Sequence, residues 1–128
     1  MTQATVAGIA PFFIVKHVPT ALLFYCDKLG FELVYKEPEA APFFAIVRRD
    51  AAMILIKKVA ADPLPNCKRD PEARWDAYAS VANPDALAAE FRSRGVVFAR
   101  PVRDTHDGLR GFELEDEDGH VLFFGRPR

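Results

Sequence analysis

Three histidines, two cysteines and a run of acids are the groups in this chain with the types and spacing to do chemistry. His106 lies in RDTHDGLR between Asp104 and Asp107, a polar cluster able to hold a metal or move a proton. A solvated surface loop is the simpler reading of that segment. His17 follows an apolar run and stands just before Pro19, so its expected work is to open a helix. His120 follows Asp118–Gly119 and reads as a polar hairpin residue. The acids from Glu113 to Asp118 read as the outward face of a strand entering its turn. No serine or cysteine neighbours a histidine in a way that would activate a nucleophile. Cys26 falls on a helical apolar pattern and Cys67 in a polar loop, and two thiols are too few for a disulfide framework.

The bulk numbers narrow the partners. At 128 residues, half of them apolar and 27% charged, the chain is one domain with enough core to fold without staples. Its net charge of −1 comes from interspersed acids and bases. There is no basic stripe for displacing phosphate counterions, so nucleic acid is not an expected partner. The first residues, MTQATVAG, lack the charged-then-apolar order of a secretion signal. No apolar run approaches the ~20 residues that span a bilayer. The expectation is a cytoplasmic protein with no membrane partner.

The elements that must position these groups come twice. Residues 9–35 give strand, amphipathic helix, glycine stop and strand: IAPFFIV, VPTALLFYCDKLG, FELVY. Residues 75–99 repeat that order as WDAYASV, NPDALAAEFRSRG, VVFA. The stop glycines Gly30 and Gly95 are 65 residues apart (95 − 30). Each unit runs on into a hairpin, FFAIVRRDAAMILIKK in the first and GFELEDEDGHVLFFG in the second. Pro11 near the start of the opening strand implies an edge position or an entry bulge, because proline cannot donate to a ladder. Val18, Leu22, Tyr25 and Leu29 make one buried helical face. Asn83 and Pro84 begin the second helix as N-cap and first residue. The expected fold is α+β, with two tandem βαβββ modules forming a curved mixed sheet around a cleft. Within the single domain 1–128, the modules are 8–59 and 75–128, joined by a proline-bearing linker over 60–74. Residues 100–110 read as an irregular surface loop. Whether the modules pair within a chain or swap between chains stays open.

The segments FYCDKLGFELVY and LEDEDGHVLFF, in this order and spacing, resemble the vicinal oxygen chelate superfamily of glyoxalases, bleomycin-resistance proteins and extradiol dioxygenases. The resemblance covers nearly the whole chain. It implies paired modules, a cleft-forming sheet and a homodimer, but no particular reaction, since the fold hosts enzymes and binders alike. Metal-dependent members supply ligands from the first and last strands of each module. The matching positions here are Ala10, Leu55, Asp76 and Phe123, and of these only Asp76 can coordinate. The resemblance therefore points to the metal-free, bleomycin-resistance-like branch, with no cofactor.

Strand alternation then nominates what lines the cleft. Phe12, Ile14, Leu55 and Lys57 come from the first module, and Trp75, Asp76, Tyr78 and Phe123 from the second. Phe44, Phe112 and Arg110 join them from neighbouring strands. Core filling is the expectation for any single phenylalanine, cleft lining for the set. The resulting expectation is a protein with no catalytic residues that sequesters a hydrophobic or aromatic small molecule, such as an antibiotic or metabolite. The alternative is a metal-dependent lyase or dioxygenase using a divalent ion at Asp76 and His106.

Overall fold

The computed structural model describes residues 2–128. The first module carries β1 (Phe12–Ile14), α1 (Val18–Leu22), β2 (Glu32–Glu37), β3 (Phe44–Arg49) and β4 (Ala52–Lys57). The second carries β5 (Ala77–Ser80), α3 (Pro84–Ser93), β6 (Arg100–Asp104), β7 (Leu109–Glu115) and β8 (Val121–Pro127). Between them the linker forms one helical turn, α2 (Asn66–Arg69), so Cys67 sits half-buried on a helix and not in a polar loop. Each module is one four-stranded mixed sheet, ordered β1-β4-β3-β2 and β5-β8-β7-β6. In both, the opening strand runs parallel to the closing one and the others are antiparallel. This is the tandem βαβββ architecture that the repeat predicts.

Local signals account for most boundaries. His17 caps α1, its ring nitrogen Nδ1 accepting from the Thr20 amide at 3.4 Å, and Asn83 caps α3 by accepting from the Ala86 amide at 3.0 Å. Gly30 and Gly95 leave their helices with φ of 73° and 79°, a conformation that favours glycine. After Leu22 the first helix widens into a π-helical stretch, Leu23–Lys28. The wider turn puts Val18, Ala21, Tyr25 and Leu29 in the core and leaves Leu22 only half-buried.

Three expectations need correction. The opening strand is shorter than 9–15, because Ile9 is almost fully exposed and the ladder with β4 begins at Phe12. It does lie at the sheet edge, as Pro11 implies. Residues 96–99 form no strand: Val96 folds back on the helix, its amide donating to the Phe91 carbonyl, while Val97 points into solvent. Pairing with β7 starts only at Ala99, so β6 occupies half of the segment expected to be a loop.

The two modules share one core on their helix sides. Phe13, Val15, Tyr25, Leu29, Ala45, Val47 and Ile56 meet Ala88, Phe91, Phe112, Leu114, Leu122 and Phe124 in a single apolar cluster. Polar links cross the same junction. Arg49 makes two hydrogen bonds to Glu90 at 2.8 and 2.9 Å, and the Tyr25 hydroxyl donates to Asp116 at 2.7 Å. Every side chain that the helices cover leaves its neighbour on the strand facing the other way, and those neighbours make the two faces described next.

Candidate ligand-binding faces

On the first sheet the cross-strand rows are Phe12–Leu55–Ile46 and Ile14–Lys57–Phe44. The Phe12 and Phe44 rings lie 6.2 Å apart, and Tyr35 approaches Phe44 at 6.1 Å. Phe12 is 54% exposed and Tyr35 47%, so these rings lie in a layer open to solvent. The Lys57 ammonium stands 6.0 Å from the Phe43 ring centre. Tyr35 donates to Glu37 at 2.7 Å, and this hydrogen bond holds its phenol above the ordinary range.

On the second sheet the matching rows are Tyr78–Phe123–Glu113 and Ser80–Gly125–Gly111. Phe123 is 1% exposed although it faces away from the helices. Its ring lies flat across the two glycines: a Cβ added at Gly111 or Gly125 would come within 2.5 Å of a Phe123 ring carbon. Trp75 stacks on that ring at 4.2 Å and Tyr78 at 5.4 Å, both nearly parallel to it. The Trp75 indole N–H donates to Glu113 at 3.1 Å, and Arg74 Nε donates to the other oxygen at 2.5 Å. Arg100 completes the group, 3.7 Å from the same carboxylate. The ring contacts on each sheet stay within that sheet, so each module presents its own aromatic face.

Eight of the eleven nominated residues lie on or beside these faces: Phe12, Ile14, Phe44, Leu55 and Lys57 on the first, Trp75, Tyr78 and Phe123 on the second. Three do not serve there. Phe112 alternates to the helix side, where it stacks on Phe124 at 5.3 Å and meets the edge of Phe91. Arg110 also turns to that side and grips Asp85 at 2.7 and 2.9 Å and Asp104 at 3.1 Å. Those carboxylates hold its guanidinium well above its usual range. Asp76 spends its oxygens on the amides of Asn66 and Val121, at 2.9 and 2.8 Å, fastening the linker to β8.

The ladder also revises the metal positions. Leu55 pairs with Phe12, not Ala10, and Phe123 pairs with Tyr78, not Asp76. These paired positions hold three hydrocarbons and a phenol, a set that does not fit a divalent ion. The cluster imagined around His106 is dispersed. Asp104 turns to Arg110 and Arg128, while Asp107 accepts from the Thr105 hydroxyl, which holds its carboxyl below the usual range.

Sequence reasoning missed the acids of the last hairpin. Glu113, Asp116 and His120 are 2%, 7% and 5% exposed, so of this run only Glu115 and Glu117 face solvent openly. Asp116 accepts from the Tyr25 hydroxyl and from the amides of Asp118 and His120, and bonds His120 Nδ1 at 2.8 Å. His120 in turn stacks on Phe13 at 4.4 Å. Burial, and then the Asp116 charge, push the Tyr25 phenol well up. Asp116, Asp118 and His120 bring ligand atoms within 4.8 Å of one another, but the Asp116 oxygens are already filled by the turn and by Tyr25. The group organises a hairpin. Alternation could have exposed Glu113, because it shares its face with Phe123 across the strand pair.

The fold and its two faces define a tandem βαβββ protein of the glyoxalase type. The chain belongs to the glyoxalase/bleomycin resistance protein/dioxygenase superfamily, which it matches over residues 6–124. Among solved structures it is similar to the bleomycin-binding protein of bleomycin-producing Streptomyces verticillus, complexed with copper(II)-bleomycin. That match is 25% identical with a TM-score of 0.72, over 98% of this chain and 100% of the other. It shares its fold with TioX from Micromonospora sp. ML1, at 16% identity and a TM-score of 0.74, over 94% of this chain and 98% of that one. TnmS3, an antibiotic binding protein from Streptomyces sp. CB03234, aligns at 21% identity with a TM-score of 0.66, over 100% and 99% of the two chains. No curated protein matches the sequence. Among the described residues no helix is long and apolar enough to cross a membrane.

Proposed function

We propose that the protein is a cytoplasmic, metal-free homodimer that sequesters a small, partly aromatic molecule without transforming it. The observation that supports this reading is the identity of the paired positions Phe12–Leu55 and Tyr78–Phe123, where Phe12 and Tyr78 offer exposed rings and no side chain is a strong cation donor. The antibiotic-binding character of two structural neighbours supports a small-molecule partner. The open faces support dimerisation: a single chain leaves Phe12, Tyr35 and Tyr78 between 42% and 54% exposed. A second copy laid over them would enclose a ligand between sheets. A thermal-shift screen against planar aromatic antibiotics and metabolites tests the binding, because a ligand that binds only the native state raises the melting temperature. Metal analysis of protein purified without chelator tests the rest. One tightly held divalent ion per subunit would defeat the metal-free reading, and a monomer by sedimentation would defeat the dimer.

A further inference from the structure

The second face carries charge as well as aromatic rings. Glu113 is 2% exposed, and its oxygens take Arg74 Nε and the Trp75 indole N–H, so its hydrogen-bonding capacity is spent within the protein. The cations around it are not spent. Arg74 gives only Nε, leaving both terminal nitrogens without a partner among the described residues. Arg100 stands 3.7 Å from Glu113, a Coulombic contact without a hydrogen bond. Arg103 pairs in register with Gly111, beside the Phe123 ring, and makes no hydrogen bond among the described residues, though its charge is felt by the Asp107 carboxylate. Arg74 and Arg100 thus flank one neutralised carboxylate, with Arg103 farther along the same sheet.

We infer that the Trp75–Phe123–Tyr78 face selects planar aromatic molecules bearing an anionic group, a carboxylate or sulfonate, with Arg74, Arg100 and Arg103 as the specificity-determining residues. Glu113 acts here as a positioning residue. By holding the Trp75 edge and the Arg74 stem it fixes a flat ring and a forked cation in one geometry before the ligand arrives. The terminal nitrogens of a guanidinium match a carboxylate in two parallel hydrogen bonds, which a neutral amide cannot reproduce. Stacking supplies affinity for any flat ring, and the arginines supply the sign of its charge. The inference rests on the proposed binding role of these faces and narrows it to one ligand class.

The test uses the intact protein and its single tryptophan, Trp75, as the reporter. Quenching of its fluorescence is titrated with anthraquinone-2-carboxylate and with the isosteric anthraquinone-2-carboxamide, and isothermal calorimetry repeats both titrations. The expected result is at least about tenfold tighter binding of the carboxylate, the value of one charge-assisted hydrogen bond, shrinking as salt is raised. Arg103→Gln, which removes no hydrogen bond inside the protein, is expected to cut that preference severalfold, with a much smaller effect on the carboxamide. The double variant Arg100→Gln/Arg103→Gln should bring the two probes close to parity. Equal binding of both probes by the unmodified protein would overturn the charge selectivity and leave the binding role standing. Failure of both probes to bind would overturn the two together.

Discussion

The two sheets have the same strand order and opposite surface chemistry. On the first, Phe12 and Leu55 hold the ladder positions and remain partly in solvent, and the polar tie to a neighbouring ring is the exposed Tyr35–Glu37 hydrogen bond. On the second, Tyr78 and Phe123 hold the equivalent positions, yet Phe123 is sealed beneath Trp75, and Trp75 is tied to a buried carboxylate. Two glycines make the difference possible. With side chains at Gly111 and Gly125 the Phe123 ring would have to stand up from the sheet, and the stack above it would be lost. A duplicated topology therefore does not imply a duplicated surface: one face is loose and adaptable, the other built and rigid.

The sharpest way to break this contrast is a pair of truncations at matching ladder positions. Phe123→Ala should cost about 3–5 kcal/mol, the range for an enclosed phenylalanine, whereas Phe12→Ala on the isolated chain should cost under about 1 kcal/mol. Urea unfolding of both variants gives the comparison directly. Similar losses at the two sites would mean that the first face is also enclosed, as it would be inside a dimer. Repeating the measurement across protein concentrations separates these cases.

A smaller effect is expected at the carboxylate. Glu113→Ala leaves Arg74 and the Trp75 indole without their acceptor and should destabilise by about 2–3 kcal/mol. Glu113→Gln keeps an acceptor for one of the two donors and should lose less. If the alanine variant unfolds at the same denaturant concentration as the parent, Glu113 does not organise this face.

The smallest predicted effect lies at the helix-side junction. Arg49, through its hydrogen bonds, holds the Glu90 carboxyl below its usual range. A carboxyl with a lowered folded-state pKa stabilises above its unfolded value and loses that contribution as pH falls through the folded one. The melting temperature should therefore drop as pH is lowered below about 4.5, the ordinary value of a glutamate. Glu90→Gln should flatten part of that drop. Because Glu90 is about one-third exposed, solvent screens the pair and the difference should be a few degrees at most. Identical acid profiles for parent and variant would show that the pair contributes nothing measurable.

Much of the architecture is legible in the residues because it rests on local rules. Asn83 and His17 cap helices, Gly30 and Gly95 stop them, and Pro11 announces an edge strand, each through constraints acting over a few bonds. Alternation also places most of the face residues. It fails where a side chain's partner is far away in sequence. Glu113 looks like one more solvated acid until Arg74 and Trp75, 39 and 38 residues distant, close around it. Asp116 likewise depends on Tyr25, 91 residues away. Asp76 looks like a ligand donor until two backbone amides fill it.

Spacing and side-chain type alone settled the repeat and the superfamily, since caps, stops and alternation act through neighbouring residues. Tertiary structure alone decided which charges are spent and which are free. The fate of a carboxylate or guanidinium depends on whether folding brings a partner within about 3 Å and shuts water out, and no stretch of neighbouring residues carries that information.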